Sequence, residues 1–284
     1  MAMLIVARLA IREAARRRLL LALAVLSVLV VGLTAWGFAR LPDITNNGER
    51  LSAVEVQTSA SQLLILVMFM FAGVIALSAI FVAAPAIAGE VESGIALAML
   101  SRPLRRRDVV LGKWLGCAAL LIGYTAAVCA LEFWVAGRAT GYYPPRPLLA
   151  VAYLAGEGLV LLTVALALST RLAGMTGGIV STVLFFVAWM TGVIGGIGIA
   201  LGNPGVAHVG TISRLILPSD GLWRGAIYAL EPAALLMEAR ALPRLVGDPF
   251  LVDASPSVAY PLWAACWVLG VLGVANYSFG RREL

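Results

Sequence analysis

The chain has 284 residues, 61% of them hydrophobic and 13% charged, whereas soluble domains carry about 25% charged residues. With a mean hydropathy of +0.96 it is excluded as a soluble domain and reads as an integral membrane protein. Its net charge of +6 is informative only through where the arginines fall along the chain.

A bilayer span needs about 20 mostly apolar residues, and six such runs are present: Leu19–Phe38, Leu63–Ala88, Val109–Val135, Leu148–Ser169, Gly178–Leu201 and Ala259–Phe279. They are too long and too uniformly apolar for outer-membrane strands, so the backbone must satisfy itself as helix. The expected fold is an all-α polytopic membrane protein, a single transmembrane domain over residues 1–284. The first run is not read as a cleaved signal, since no small-residue site closes it and further spans follow.

In chain order, residues 1–18 form an amphipathic helix. Arg8, Arg12 and Arg16 recur on one face, with Leu4, Ile5, Leu9 and Leu20 mostly on another, and Glu13 can pair with Arg17 one turn on. Such a helix lies in the interface with its basic face toward phosphates, either as a solvated flank or also touching a partner. The loop Ala39–Gln62 is polar and external. Pro85, near the inner end of span two, removes a backbone donor and is expected to kink the helix.

The connector 89–108 follows. Glu90 and Glu92 precede Gly94, and Ile95 to Leu100 form a short apolar helix stopped by Ser101, Arg102 and Pro103. Ile95, Ala98 and Met99 share one face at i, i+3, i+4 spacing. This is either a knob shaped for a groove on another protein or an interfacial helix anchored by Arg105, Arg106 and Arg107.

Span three enters beside Lys113 and Trp114 and leaves near Trp134. The turn Gly141–Pro147 (GYYPPRP) is too proline-rich for helix, and its tyrosines suit the headgroup belt. The short turn RLAGMTGG makes spans four and five antiparallel neighbours. Span five ends in the glycine-rich run Gly192–Gly205, which includes Gly195 and Gly196; such glycines allow close helix contact or let a helix break, and an irregular outer end is expected. The extracytoplasmic segment 202–258 carries helical signals of its own. Ser219 or Asp220 caps a helix through Tyr228, and Pro232 opens another at Ala233–Leu242; these helices lie on the outer surface or roof the bundle.

Orientation follows from Arg and Lys. With both termini cytoplasmic, the inner side holds 13 of the 21 basic residues against five acids, and the outer side eight Arg against eight acids. That asymmetry obeys the positive-inside rule, so the basic pI of about 9.6 reports topology and anionic lipid, not nucleic acid. Cys117, Cys129 and Cys266 lie in spans and read as small apolar fillers. His208, the single histidine, falls in an outer loop, so neither a metal nor a cofactor site is expected.

Two acids stand inside spans, Glu132 in span three and Glu157 in span four. Ionisable groups there usually face a cavity or a partner. Either the two share one outer vestibule with Arg138 as counter-charge, or Glu132 reaches the headgroups and Glu157 bonds within the bundle. With Gly195 and Gly196 they are the candidate translocation path.

The string Glu92-Ser93-Gly94, Leu100-Ser101-Arg102-Pro103-Leu104, Arg106 and Leu111-Gly112-Lys113 resembles the pattern E-x-G-T … L-x-x-P-x-x-R … x-x-G-K between spans two and three of permease subunits in the type-two ATP-binding-cassette (ABC-2) exporter family. Ile95 departs from the Thr usual there. The run Pro218–Arg224 (PSDGLWR) resembles the outer loop of the branch that includes nitrous-oxide-reductase maturation permeases. The resemblance implies that Glu90–Ser101, with Arg102, Pro103 and Arg106, is a coupling helix seated in a cytoplasmic ATPase subunit, and that the Arg8–Arg18 elbow lies alongside it. It further implies two such ATPase subunits, a second permease copy or a homologous permease, and membrane lipids as partners. No GxxxxGK[ST] phosphate loop exists here, so ATP and magnesium are expected in the partner chains and no catalysis in this one. The expected function is export across the cell membrane. The alternative is a mechanotransmitter that drives an extracytoplasmic accessory protein on segment 202–258 without moving a substrate.

Overall fold

The computed structural model describes residues 2–16, 18–46, 49–94, 105–232, 250, 252 and 257–282. Among the described residues the regular structure is helical but for a two-residue antiparallel ladder, Thr45–Asn46 with Glu49–Arg50. Among the described residues six helices are long and apolar enough to cross a membrane: α2 (Arg18–Arg40), α3 (Ala53–Glu92), α4 (Arg106–Thr140), α5 (Pro147–Ser169), α6 (Gly174–Ala200) and α9 (Ala259–Gly280). Three more are too short or too polar: α1 (Ala2–Arg16), α7 (Pro204–Ile216) and α8 (Ser219–Leu230).

α3 and α5 form the centre, packed on one another, with α6 and α8 closing one side and α4 the other. In the apolar stretch of α5 67% of residues are buried, against 11% near the start of α2. Span four is thus a core element, while span one leaves most of its surface to lipid. α3 has 40 residues, about 60 Å at 1.5 Å per residue, so it projects beyond a hydrocarbon layer of about 30 Å. It starts inside the segment expected to be loop, because Ser52 and Glu55 form a capping box: the Ser52 side chain accepts from the Glu55 N–H and Glu55 Oε2 accepts from the Ser52 N–H at 2.8 Å. At the other end it runs through Pro85 and stops where Ser93 caps it and Gly94 takes φ 73°, a left-handed conformation that glycine adopts without penalty.

Glycines set two close contacts. α1 lies against α4 over Gly112 and Gly116: an added Cβ at Gly112 would stand 2.7 Å from the Met3 carbonyl oxygen, and one at Gly116 2.6 Å from that of Ala7. The elbow therefore has a third face, Val6, Ala7 and Ala10, buried between the exposed apolar side (Leu4, Ile5, Leu9) and the exposed Arg8 and Arg12. At the opposite membrane face α7 sits on α6, where a Cβ on Gly195 would meet the Gly210 Cα at 2.6 Å and one on Gly198 the Ala207 nitrogen at 2.5 Å.

Several expectations are corrected here. The glycine-rich end of span five is not irregular; α6 stays helical to Ala200 and turns only at Gly202 (φ 64°), because α7 packs into its glycine groove. His208 sits exposed on helix α7, not in a loop. Neither Ser219 nor Asp220 caps α8. They lie inside its first turn, with Pro218 at the cap position, and Asp220 turns its carboxylate to two arginines instead. Leu222, Trp223, Ala226, Ile227 and Leu230 bury α8 in the bundle. The expected helix Ala233–Leu242 lies outside the described residues.

Candidate functional site

The ends of α3 and α4 that flank the connector are tied into the bundle by charge. Glu90 and Lys113 pair at 2.7 Å, with the Lys113 side chain only 5% exposed. Glu92, exposed, accepts a hydrogen bond from the Gly174 N–H at 3.2 Å, so the end of span two holds the first turn of span five. Across the connector, Arg106 donates to the carbonyls of Phe279 (3.1 Å), Gly280 (3.2 Å) and Arg282 (2.6 Å). It thereby satisfies orphan acceptors at the C-terminus of span six, where a cation is favoured. Arg282 in turn donates to the Thr170 carbonyl at 2.7 Å, and the Arg171 Nε to Ser278 Oγ at 2.7 Å, joining the ends of spans four and six. One wired rim results, which includes the two described ends of the connector.

Of the coupling residues read from the sequence, Glu90, Glu92, Ser93, Gly94 and Arg106 belong to this rim. Ile95, Ala98, Met99, Ser101, Arg102 and Pro103 lie outside the described residues. Arg8 and Arg12 point away from the bundle; Arg16 ends α1, and Arg17, the expected mate of Glu13, lies outside the described residues. Sequence reasoning missed Lys113 as the partner of Glu90, since nothing local relates two residues on different helices.

The opposite end is organised around Asp220. Arg214 Nε donates to Asp220 Oδ2 at 2.7 Å and Arg224 Nε approaches it at 3.5 Å. Both guanidiniums also reach the Gly192 carbonyl, at 3.4 and 3.5 Å. Gly192 has to be glycine, because a Cβ there would strike the Asp220 carboxylate. The turn Gly141–Pro147 straps α8 from outside. The Arg146 guanidinium stacks on Tyr228 (4.4 Å), and the Tyr142 hydroxyl donates to the Leu230 carbonyl. Burial, and after it the Glu231 carboxylate, push the Tyr142 phenol above its ordinary range, so it stays a donor. Arg224 was findable at i,i+4 from Asp220; Asn203 before Pro204 is the helix-start signal that would have found α7.

The two intramembrane acids part company. Glu132 is fully buried and accepts from Thr34 Oγ1 at 3.0 and 2.9 Å, so it ties span one to span three; Ser27 and Tyr124 make a second tie at 2.7 Å. It is not among the residues lining the cavity that Glu157 lines, because it lies on the side of α4 turned to α2, and Arg138 is exposed on the last turn of α4. Glu157 lines a separate cavity between α3, α5, α6 and α8, together with Ser219 and Asp220. Gly195 and Gly196 are buried in α6; Gly195 serves the α7 contact. Cys117 and Cys129 are buried and Cys266 is exposed.

Among the described residues no three His, Cys, Asp or Glu side chains gather as metal ligands. A bundle of six apolar helices, with charge concentrated at the two sets of helix ends, is the architecture of a polytopic transport component. The chain belongs to the ABC-2 transporter family: the model described as "ABC-2 family transporter protein" matches residues 4–284. It is thus the membrane component, or permease, of an ABC transporter, and that family implies partnership with ABC ATPase subunits. No curated protein sequence matches it significantly.

Proposed function

We propose that this permease exports a substrate across the cell membrane, driven by two cytoplasmic ATPase subunits that bind ATP and magnesium and grip the connector 89–108. Both termini then face the cytoplasm. The elbow, residues 1–18, lies beside the ATPase, and a second copy or a homologous permease completes the path between halves. The observation that carries this reading is the wiring of the connector's two ends, Glu90 to Lys113, Glu92 to the start of span five and Arg106 to the end of span six. A push on the connector is delivered at once to spans five and six, with its own two flanking spans held together, which is what a bistable bundle needs in order to switch. The exposed basic face of α1 suits a partner subunit or anionic lipid.

A second reading, transmission of work to an extracytoplasmic accessory protein on segment 202–258, is favoured by the seating of α7 on α6, since movement of span five is then carried outward without a substrate. Membership of the nitrous-oxide-reductase maturation branch rests on the PSDGLWR run, whose Asp220 and Arg224 are the paired residues of the outer cluster.

The test is purification of the tagged chain with its ATPase, followed by Glu92→Ala and Arg106→Ala. Stimulation of ATP turnover by the membrane subunit is expected to fall while assembly persists. Full stimulation in both variants sinks the lever assignment; absence of any ATPase in the purified complex sinks the reading altogether.

A further inference from the structure

The cavity between α3, α5, α6 and α8 has a volume of about 390 Å³, within the range of small-molecule sites. Its wall is overwhelmingly apolar. The Phe69 ring stands between Trp189 (centroids 5.7 Å apart) and Trp223 (5.5 Å). The charged side chains of the lining are both carboxylates, Glu157 and Asp220, with no Arg, Lys or His among the lining residues. Asp220 is engaged by Arg214 and Arg224, which stand outside the lining. Glu157 is only 4% exposed, and its Oε2 has no hydrogen-bond partner among the described residues, nor has the Ser219 Oγ beside it. A carboxyl group at membrane depth costs several kcal/mol unless it is matched. Here it faces the cavity beside aromatic faces, the surroundings that favour an organic cation.

We propose that this cavity binds a monovalent organic cation with an apolar body, Glu157 meeting its charge, Ser219 offering its hydroxyl oxygen and the Phe69, Trp189 and Trp223 rings enclosing the body. Binding requires neither nucleotide nor the ATPase, so its failure is distinguishable from failure of the coupling reading. A lipid acyl chain, which the apolar wall alone would also take, is insensitive to both charges.

The experiment is equilibrium binding of benzyltriethylammonium to the full chain in phosphatidylcholine nanodiscs, followed by tryptophan fluorescence, with empty discs subtracted. Saturable binding is expected. Glu157→Gln is expected to weaken it by at least about tenfold, Glu157→Asp to retain most of it, and benzylsulfonate not to compete. Equal affinity in Glu157→Gln, equal competition by benzylsulfonate, or no saturable binding to the wild-type chain each overturns the proposal. The benzylsulfonate arm uses only the wild-type protein and holds even where a variant fails to fold.

Discussion

The two ends of this bundle use charge in opposite ways. At the connector end most of the bonds run between side chains and the backbone of helix ends, several of them exposed, with the Glu90–Lys113 pair, its lysine buried, as the exception. At the Asp220 end one buried carboxylate is held by two guanidiniums, and the helices around it approach through glycine, at Gly195, Gly198 and Gly210. Exposed single bonds contribute little each and exchange readily with water. A buried cluster costs much to break, because the charges left behind have no water to return to. The first arrangement can change partners during a cycle; the second holds spans four and five and the outer helices as one body. On the proposed function the connector end serves as the lever and the Asp220 end as the pivot.

The largest expected effect tests the pivot. Asp220→Asn removes the carboxylate that Arg214 and Arg224 share, at a cost of about 3 kcal/mol or more, reduced by the partial exposure of both arginines, 20% and 19%. Thermal unfolding in detergent is expected to show a large loss, and wild-type stability in this variant would mean that the outer cluster is not holding the helices. A smaller loss is expected from Gly195→Val, which drives a side chain into the α7 backbone; overpacking costs about 1–3 kcal/mol. It is read by the same melt and by protease cleavage at the freed α7, and uncleaved α7 would contradict the glycine contact.

What the sequence made legible is the part governed by local physics. Length and hydropathy specify a span whatever it packs against, and six helices of that length and hydropathy are found where such runs were read. The polar linkers that end spans show likewise. What remained hidden depends on which helices meet. Val6, Ala7 and Ala10 look like filler until Gly112 and Gly116 are seen beneath them, and Glu132 looks like half of a vestibule until Thr34 is found against it. The α7 helix was missed for a different reason. Its start signal at Asn203-Pro204 was masked by the glycines before it, which read as a broken helix end when they are a groove for the next one.

The smallest effect on stability and the largest on coupling are expected at Lys113. Lys113→Met breaks the pair with Glu90, but Glu90 keeps 19% of its side chain exposed and can turn to water, and Met matches the buried stem of Lys. One ion pair is lost here where Asp220→Asn loses two, so the loss should be smaller than that of Asp220→Asn and the melt should fall less. Coupling is different, because the pair is what fixes the end of span two to the start of span three on either side of the connector. With it gone, a push on the connector is absorbed by local bending. ATPase stimulation by the permease should therefore drop in Lys113→Met although the protein stays folded and assembled. If instead the melt falls as far as in Asp220→Asn while stimulation persists, the two ends do the same job and the distinction between lever and pivot fails.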